Sequence, residues 1–204
     1  MKPIFLACTL LAASFSSFAV DQVAEPSTKK SNPLDHHTWG VSLQTMSIDE
    51  EVAANNYIGD RMQSASLFWQ GKKSNLLIGA GLGVLIMDDH GSYDVDVMRV
   101  GGGNTTKKAE AGGINFYFEA GYRHIIEKIN LDLLVGFEKI RADRSVDNCS
   151  NCPEEEIDMD AGMYFKPRIG YQINEKFWMD LSYSSYLSGD LSNNIGLIFT
   201  FQTN

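Results

Sequence analysis

Eight stretches of the chain alternate apolar residues with small or polar ones, at the period of two that side chains keep along a β-strand. The clearest runs from Ile114 to Arg123. One face is Ile114, Phe116, Phe118, Ala120 and Tyr122; the other is Asn115, Tyr117, Glu119, Gly121 and Arg123. The pattern predicts strands near 38–46, 62–70, 75–87, 113–123, 129–140, 157–171, 177–186 and 193–201. The apolar face is regular in each. It reads Leu76, Ile78, Ala80, Leu82, Val84, Ile86 in the third, and Ile129, Leu131, Leu133, Val135, Phe137 in the fifth. In the sixth it reads Ala161, Met163, Phe165, Pro167, Ile169, Tyr171. No charged residue stands on this face within the spans. Pro167 cannot donate a ladder hydrogen bond, so a bulge or register break is expected there.

Strands of this length, greasy on one side and charged on the other, fit a bilayer crossing around a polar interior. The connections alternate in length. Gly71–Ser74, His124–Lys128 and Ile173–Lys176 are short; Ser47–Arg61, Asp88–Gly112 and Arg141–Glu156 are long. Short turns on one side and long loops on the other are the pattern of an outer-membrane barrel with its turns in the periplasm. Six aromatics then share one end of the apolar face: Trp39, Trp69, Tyr122, Tyr171, Phe177 and Phe201. Such a girdle sits at headgroup level. The prediction is an all-β fold, an eight-stranded antiparallel up-and-down transmembrane β-barrel over 38–204. An inverted, soluble lipocalin-like barrel shares the alternation. The girdle and the uncharged apolar face argue against it.

The opposite face is polar and glycine-rich. Its charged members are Glu119, Arg123, Asp132, Glu138, Lys166, Arg168 and Asp180. Buried charge is tolerated when paired, so four acids beside three bases predict an internal salt-bridge network. Gly79, Gly81 and Gly83 make room for Tyr117 and Tyr164. Eight strands enclose an interior that side chains fill, so a plugged lumen is expected rather than a wide pore.

The N-terminus reads as a secretory signal. Lys2 precedes the apolar run Ile4 to Leu11, and Ser17-Phe18-Ala19 places small residues at a cleavage site after Ala19. Residues 1–19 are thus expected to be a signal peptide and 20–37 a periplasmic tail. The run is too short for a spanning helix. Cys8 after Phe5-Leu6-Ala7 resembles a lipoprotein box with an unusually short lead. The chain's 17 basic and 26 acidic residues give a net charge of −9, which disfavours nucleic acid as a partner. In an exported chain, Cys149 and Cys152 read first as a disulfide. The acidic run Glu154–Glu156 would raise a thiol pKa, against a redox role, and no further zinc ligands share the loop.

These strands resemble the small eight-stranded outer-membrane barrel superfamily, the OmpX, OmpW, opacity and OmpA-transmembrane type. The resemblance spans about 38–201. The last strand, Ile195-Gly196-Leu197-Ile198-Phe199-Thr200-Phe201, is similar to the family's C-terminal assembly signal, with Gln202-Thr203-Asn204 added beyond it. The resemblance implies a Gram-negative outer membrane, the barrel-assembly machinery as a partner in biogenesis, lipid and lipopolysaccharide as surroundings, and a monomer.

Candidate chemistry is thin. Ser182-Tyr183-Ser184-Ser185-Tyr186-Leu187-Ser188 weakly resembles a lipid A deacylase, which needs a histidine base beside its serine. His36, His37, His90 and His124 lie elsewhere in the pattern, so Ser182 and Ser184 read as lumen lining. Asp88, Asp89, Asp94 and Asp96 share an outer loop without EF-hand spacing, and read as a solvated acidic face. Gly101–Gly103 lacks the strand–helix setting of a phosphate loop. Asn104-Thr105-Thr106 matches a glycosylation acceptor only formally. No catalytic residue, metal or cofactor is expected. The expected role is a non-enzymatic envelope or surface-interaction protein. A narrow channel and an outer-leaflet lipid enzyme are the alternatives.

Overall fold

The computed structural model describes residues 36–90, 92–93, 107–146 and 154–203. The predicted signal peptide, the tail before His36, Cys149 and Cys152 lie outside the described residues, as do Asp94, Asp96, Gly101–Gly103 and Asn104.

Eight long strands form the wall: β1 His36–Ile48, β2 Ile58–Lys73, β3 Leu76–Asp89, β5 Lys107–Ile126, β6 Ile129–Val146, β8 Met163–Asn174, β9 Phe177–Tyr186 and β10 Leu191–Thr203. Two short strands, β4 Ser92–Tyr93 and β7 Glu155–Ile157, extend the long-loop end. All pairings are antiparallel between sequence neighbours along the wall. β1 pairs with β10, and the β5–β6 pairing completes the ring. The eight-stranded up-and-down barrel is therefore closed.

The strands outrun their predicted limits at the periplasmic end, so those turns are tighter than expected. Lys73 pairs with Leu76, and Ile126 with Ile129, leaving two-residue turns. Their first residues, Ser74 and Glu127, carry left-handed φ of 55° and 54°, as hairpins that follow the strand twist require.

Three features depart from the pattern. The sixth predicted strand, 157–171, is two pieces, because 158–162 leaves the ladder between β7 and β8. Ala161 consequently sits on the buried side rather than on the outer apolar face. Pro167 causes no register shift. β8 and β9 pair at Phe165–Ser185 and again at Arg168–Ser182, in one unbroken register. The ladder lapses across Lys166 and Pro167 and then resumes; the shift in this pair falls at Gln172–Asn174 instead. Finally, the first long loop contains a helix, α1 Glu50–Asn55. Asp49 caps it by accepting the Glu51 amide at 3.0 Å, and Glu50 and Glu51 complement the dipole of its first turn.

Side chains sort by face. Leu67, Leu82, Ile86, Phe118, Val135, Ile169, Leu181 and Ile195 are all exposed on the outside of the wall, while Asp132, Asp180, Lys166 and Arg168 are buried within it. A water-soluble barrel cannot afford this arrangement, since a contiguous apolar belt of that extent drives association or membrane insertion.

Candidate functional site

The register builds the lumen. Arg123 stands opposite Asp132, and Asp132 opposite Arg168, across β5, β6 and β8. Directly opposed partners interact most strongly. Arg123 donates from Nε and Nη2 to the two Asp132 oxygens at 2.8 and 2.7 Å, and Arg168 Nε donates to Asp132 Oδ2 at 2.6 Å. Both arginines also reach Gln70 Oε1, at 3.3 and 3.1 Å. Asp180 offsets the second arginine's charge. It accepts from Asn130 Nδ2 at 2.7 Å and Thr200 Oγ1 at 3.4 Å.

A second layer lies above. Lys166 Nζ donates to Glu119 Oε2 at 2.7 Å, and stands 5.2 and 5.3 Å from the ring centres of Tyr117 and Tyr164. Tyr164 OH donates to the same Glu119 oxygen at 3.3 Å. These rings fit because Tyr117 is paired with Gly81, and Tyr164 with Gly136. A Cβ at either glycine would clash with the Cζ and hydroxyl end of the tyrosine. Gly81→Val is accordingly expected to expel Tyr117 and destabilise by about 1–3 kcal/mol. Denaturant titration of folded protein in detergent reads this. Above Glu119, Glu138 accepts from Asn115 Nδ2 at 2.5 Å and from Tyr186 OH. All seven charged residues expected inside are at most 8 % exposed.

The lumen is not polar throughout. Toward the long loops the inward positions become Met46, Ile48, Ile58, Met62, Leu85, Met87, Ala111, Ile140 and Ala142. Ala53 of α1, together with Ile157, Met159 and Ala161, closes over them. On β2 and β6 the outward positions over the same rows turn polar, with Asp60, Arg61, Gln63, Lys139 and Arg141 exposed, while Ile86 of β3 and Ile114 of β5 stay apolar. The barrel is inside-out below this level and of ordinary soluble polarity above it. Two opposed inversions at one height mark where lipid gives way to water. Sequence reasoning missed the apolar stopper. Its signal is present in the same alternation, continued past the predicted strand ends.

Arg144 ties the outer end together. It is buried, donating to Asp89 Oδ2 at 2.9 Å, to Glu155 Oε2 at 2.7 Å, and to the carbonyls of Asn56 and Tyr57 at 2.5 and 3.3 Å. Burial opposes its charge, but Asp89 and Glu155 more than offset this and raise its pKa above the ordinary arginine value. A raised cation stabilises fully below its ordinary value and fades only above it, so the clamp holds over the whole working pH range. Tyr57 is held at φ 53° with its carbonyl also accepting the His90 amide at 2.9 Å. Arg144→Met is expected to speed protease nicking at 50–60 and 86–90 roughly tenfold while barrel stability changes little.

At the other end four of the six expected girdle aromatics stand in one cross-strand row. Trp69, Trp39, Phe201 and Phe177 follow one another through the register. Phe177 and Phe201 pack at a tilt of 39°, with ring centroids 4.9 Å apart. Tyr122 OH accepts from Asn75 Nδ2 at 2.7 Å.

This geometry has solved counterparts. The chain matches Ail, the attachment invasion locus protein of Yersinia pestis, solved in complex with the heparin analogue sucrose octasulfate. The TM-score is 0.51 at 12% identity, covering 82% of this chain and 96% of that one. It matches Neisserial surface protein A equally, with a TM-score of 0.51 at 8% identity and the same coverages. The chain is an outer-membrane-type β-barrel. The likeness is one of fold, and the apolar wall is what sets this barrel in a bilayer. No protein-family model matches the chain, and none of the curated proteins is similar to it in sequence.

Proposed function

We propose that this outer-membrane barrel is non-enzymatic and sealed, and that it serves envelope integrity or surface interaction through its outer end. The observation that carries this is the double closure of the lumen. A paired charge network fills the membrane level, and an apolar stopper of Met46, Met62, Leu85, Met87 and Ile140 sits above it. An ion entering would have to break buried ion pairs and then cross an apolar layer, both costly steps. Planar-bilayer recordings of the refolded protein are expected to show no discrete conductance. Regular current steps would overturn the sealed reading in favour of a narrow channel.

The serines of the deacylase-like stretch support the non-enzymatic reading. Ser182 and Ser184 are buried inside the lumen, and Ser182 Oγ donates to the Gly196 carbonyl at 3.3 Å. Mass spectrometry of lipid A from cells with and without the protein is expected to show no difference.

The outer end differs in character from a polyanion receptor. Among the described residues it exposes Asp49, Glu50, Glu51, Asp60, Asp88, Glu110, Glu154 and Glu156, against Arg61, Lys139 and Arg141. A sulfated glycan would be repelled by such a surface. Where the outer loops meet a partner, the fitting charge is positive.

A further inference from the structure

A crevice of about 330 Å³ opens on the outer wall where β5 and β6 leave the lipid. Its floor is Ile114 and Phe116, both exposed on the lipid-facing side of β5. Their cross-strand partners on β6 are Arg141 and Lys139 respectively, both exposed. Two residues apart on one face, these cations stand ~7 Å from each other. The far wall is the segment 156–160. Ile157 and Met159 are sunk in the apolar stopper, which turns Glu156, Asp158 and Asp160 outward along the crevice. Backbone bonds fix that wall: Asp160 N donates to Asp190 Oδ2 at 2.6 Å, and Asp190 N donates to the Asp160 carbonyl at 2.7 Å.

Depth follows from the strand. Tyr122 marks the periplasmic girdle, and Ile114 lies eight residues further along β5, ~27 Å of strand and ~20 Å of bilayer normal at a tilt near 40°. The apolar band is ~25 Å tall. Ile114 and Phe116 therefore face the outermost acyl carbons, and Lys139 and Arg141 face headgroups.

The chemistry of the crevice is amphiphilic and two-signed. An apolar floor continues the acyl layer, two cations lie directly across from it, and three carboxylates form the opposite side. A purely anionic headgroup would meet the carboxylates, and a purely cationic one the lysine and arginine. We propose that the crevice binds a phospholipid with a phosphoethanolamine headgroup. The phosphate sits between Lys139 and Arg141, the ammonium against Asp158 and Glu156, and an acyl chain along Phe116 and Ile114. Lys139 is paired with Asp160 at 2.5 Å. Both partners are largely exposed, and such a pair contributes little, so it yields readily to a phosphate. Among the described residues Arg141 makes no ion pair.

Native mass spectrometry tests this. The full-length protein, folded in a non-ionic maltoside detergent, is mixed with equal amounts of phosphatidylethanolamine, phosphatidylglycerol and a lipid A lacking phosphoethanolamine. One retained lipid per barrel is expected, with phosphatidylethanolamine favoured roughly tenfold, about one charge-assisted contact. The preference is expected to vanish in the double variant Lys139→Gln, Arg141→Gln, and to turn toward phosphatidylglycerol in Glu156→Gln, Asp158→Asn. Lys176→Gln, in a periplasmic turn, is expected to leave it unchanged. Heat-modifiable mobility verifies that each variant is folded. Equal retention of the three lipids, a preference for phosphatidylglycerol or lipid A in the unaltered protein, or an undiminished preference in the folded Lys139/Arg141 variant would overturn the proposal.

Discussion

Asp132→Ala is expected to cost about 3–5 kcal/mol of barrel stability, because it strands two buried guanidinium groups at once. Asp132 is 2 % exposed and is the single carboxylate on which Arg123 and Arg168 converge. Asp180 accepts from Asn130 and Thr200 and acts on Arg168 only at longer range, so the close ion pairs of both arginines are lost with Asp132. Equilibrium urea titration of the refolded protein, followed by heat-modifiable mobility, reads the loss. A companion variant separates the penalty of an unpaired charge from the worth of the pair. With Arg123→Met, Asp132→Leu and Arg168→Met together, no charge is stranded, and most of the stability is expected to return. The residual deficit is about 1–3 kcal/mol, because Gln70 Oε1 loses both its donors. If Asp132→Ala unfolds within about 1 kcal/mol of the parent, water reaches these arginines and the lumen is not sealed at that level.

How far the alternation carries is visible in particular residues. A period of two assigns each side chain to a face, and a face with one solvent on each side leaves little freedom. That is why the eight wall strands were legible from spacing alone, except that the sixth is interrupted where 158–162 leaves the ladder. The same rule explains the stopper, which went unread. Met46, Met62, Leu85 and Ile140 occupy inward positions by parity, yet apolar-in looks like a break in the pattern when the inward face is expected to be polar. It is the pattern's inversion on leaving the membrane. Helix α1 carried a local signal, Asp49 followed by Glu50, Glu51, Ala53 and Ala54, but six residues are too few for a periodicity to show. The clamp at Arg144 was illegible for another reason. Its partners Asp89, Glu155 and the adjacent pair Asn56 and Tyr57 come from three separate segments, and only the closed barrel brings them together.

One residue along from Asp132, the solvent changes. Val135→Arg is expected to destabilise the protein in bilayers by about 2–4 kcal/mol, the cost of a cation on the lipid face near the midplane, and Leu133→Arg by less, because Tyr122 of the periplasmic girdle stands directly opposite it. Leu133 points outward between Leu131 and Val135, and its cross-strand partners are Tyr122 and Pro167. No anion is within the outward rows around it, so the guanidinium has to snorkel or thin the membrane. The same change at Arg141's level is already tolerated by the native chain, which holds Lys139 and Arg141 on that face of the same strand. The penalty should therefore peak between the girdle and Lys139: Val135→Arg largest, Leu133→Arg and Phe137→Arg smaller, with position 139 basic at no cost. Folding titrations into phosphatidylcholine vesicles measure that gradient. A flat series, or equal costs for Leu133→Arg and the lumen substitution Ser182→Ala, would refute the assignment of faces. A gradient that reaches zero near Lys139 would place the membrane boundary where the two polarity inversions coincide.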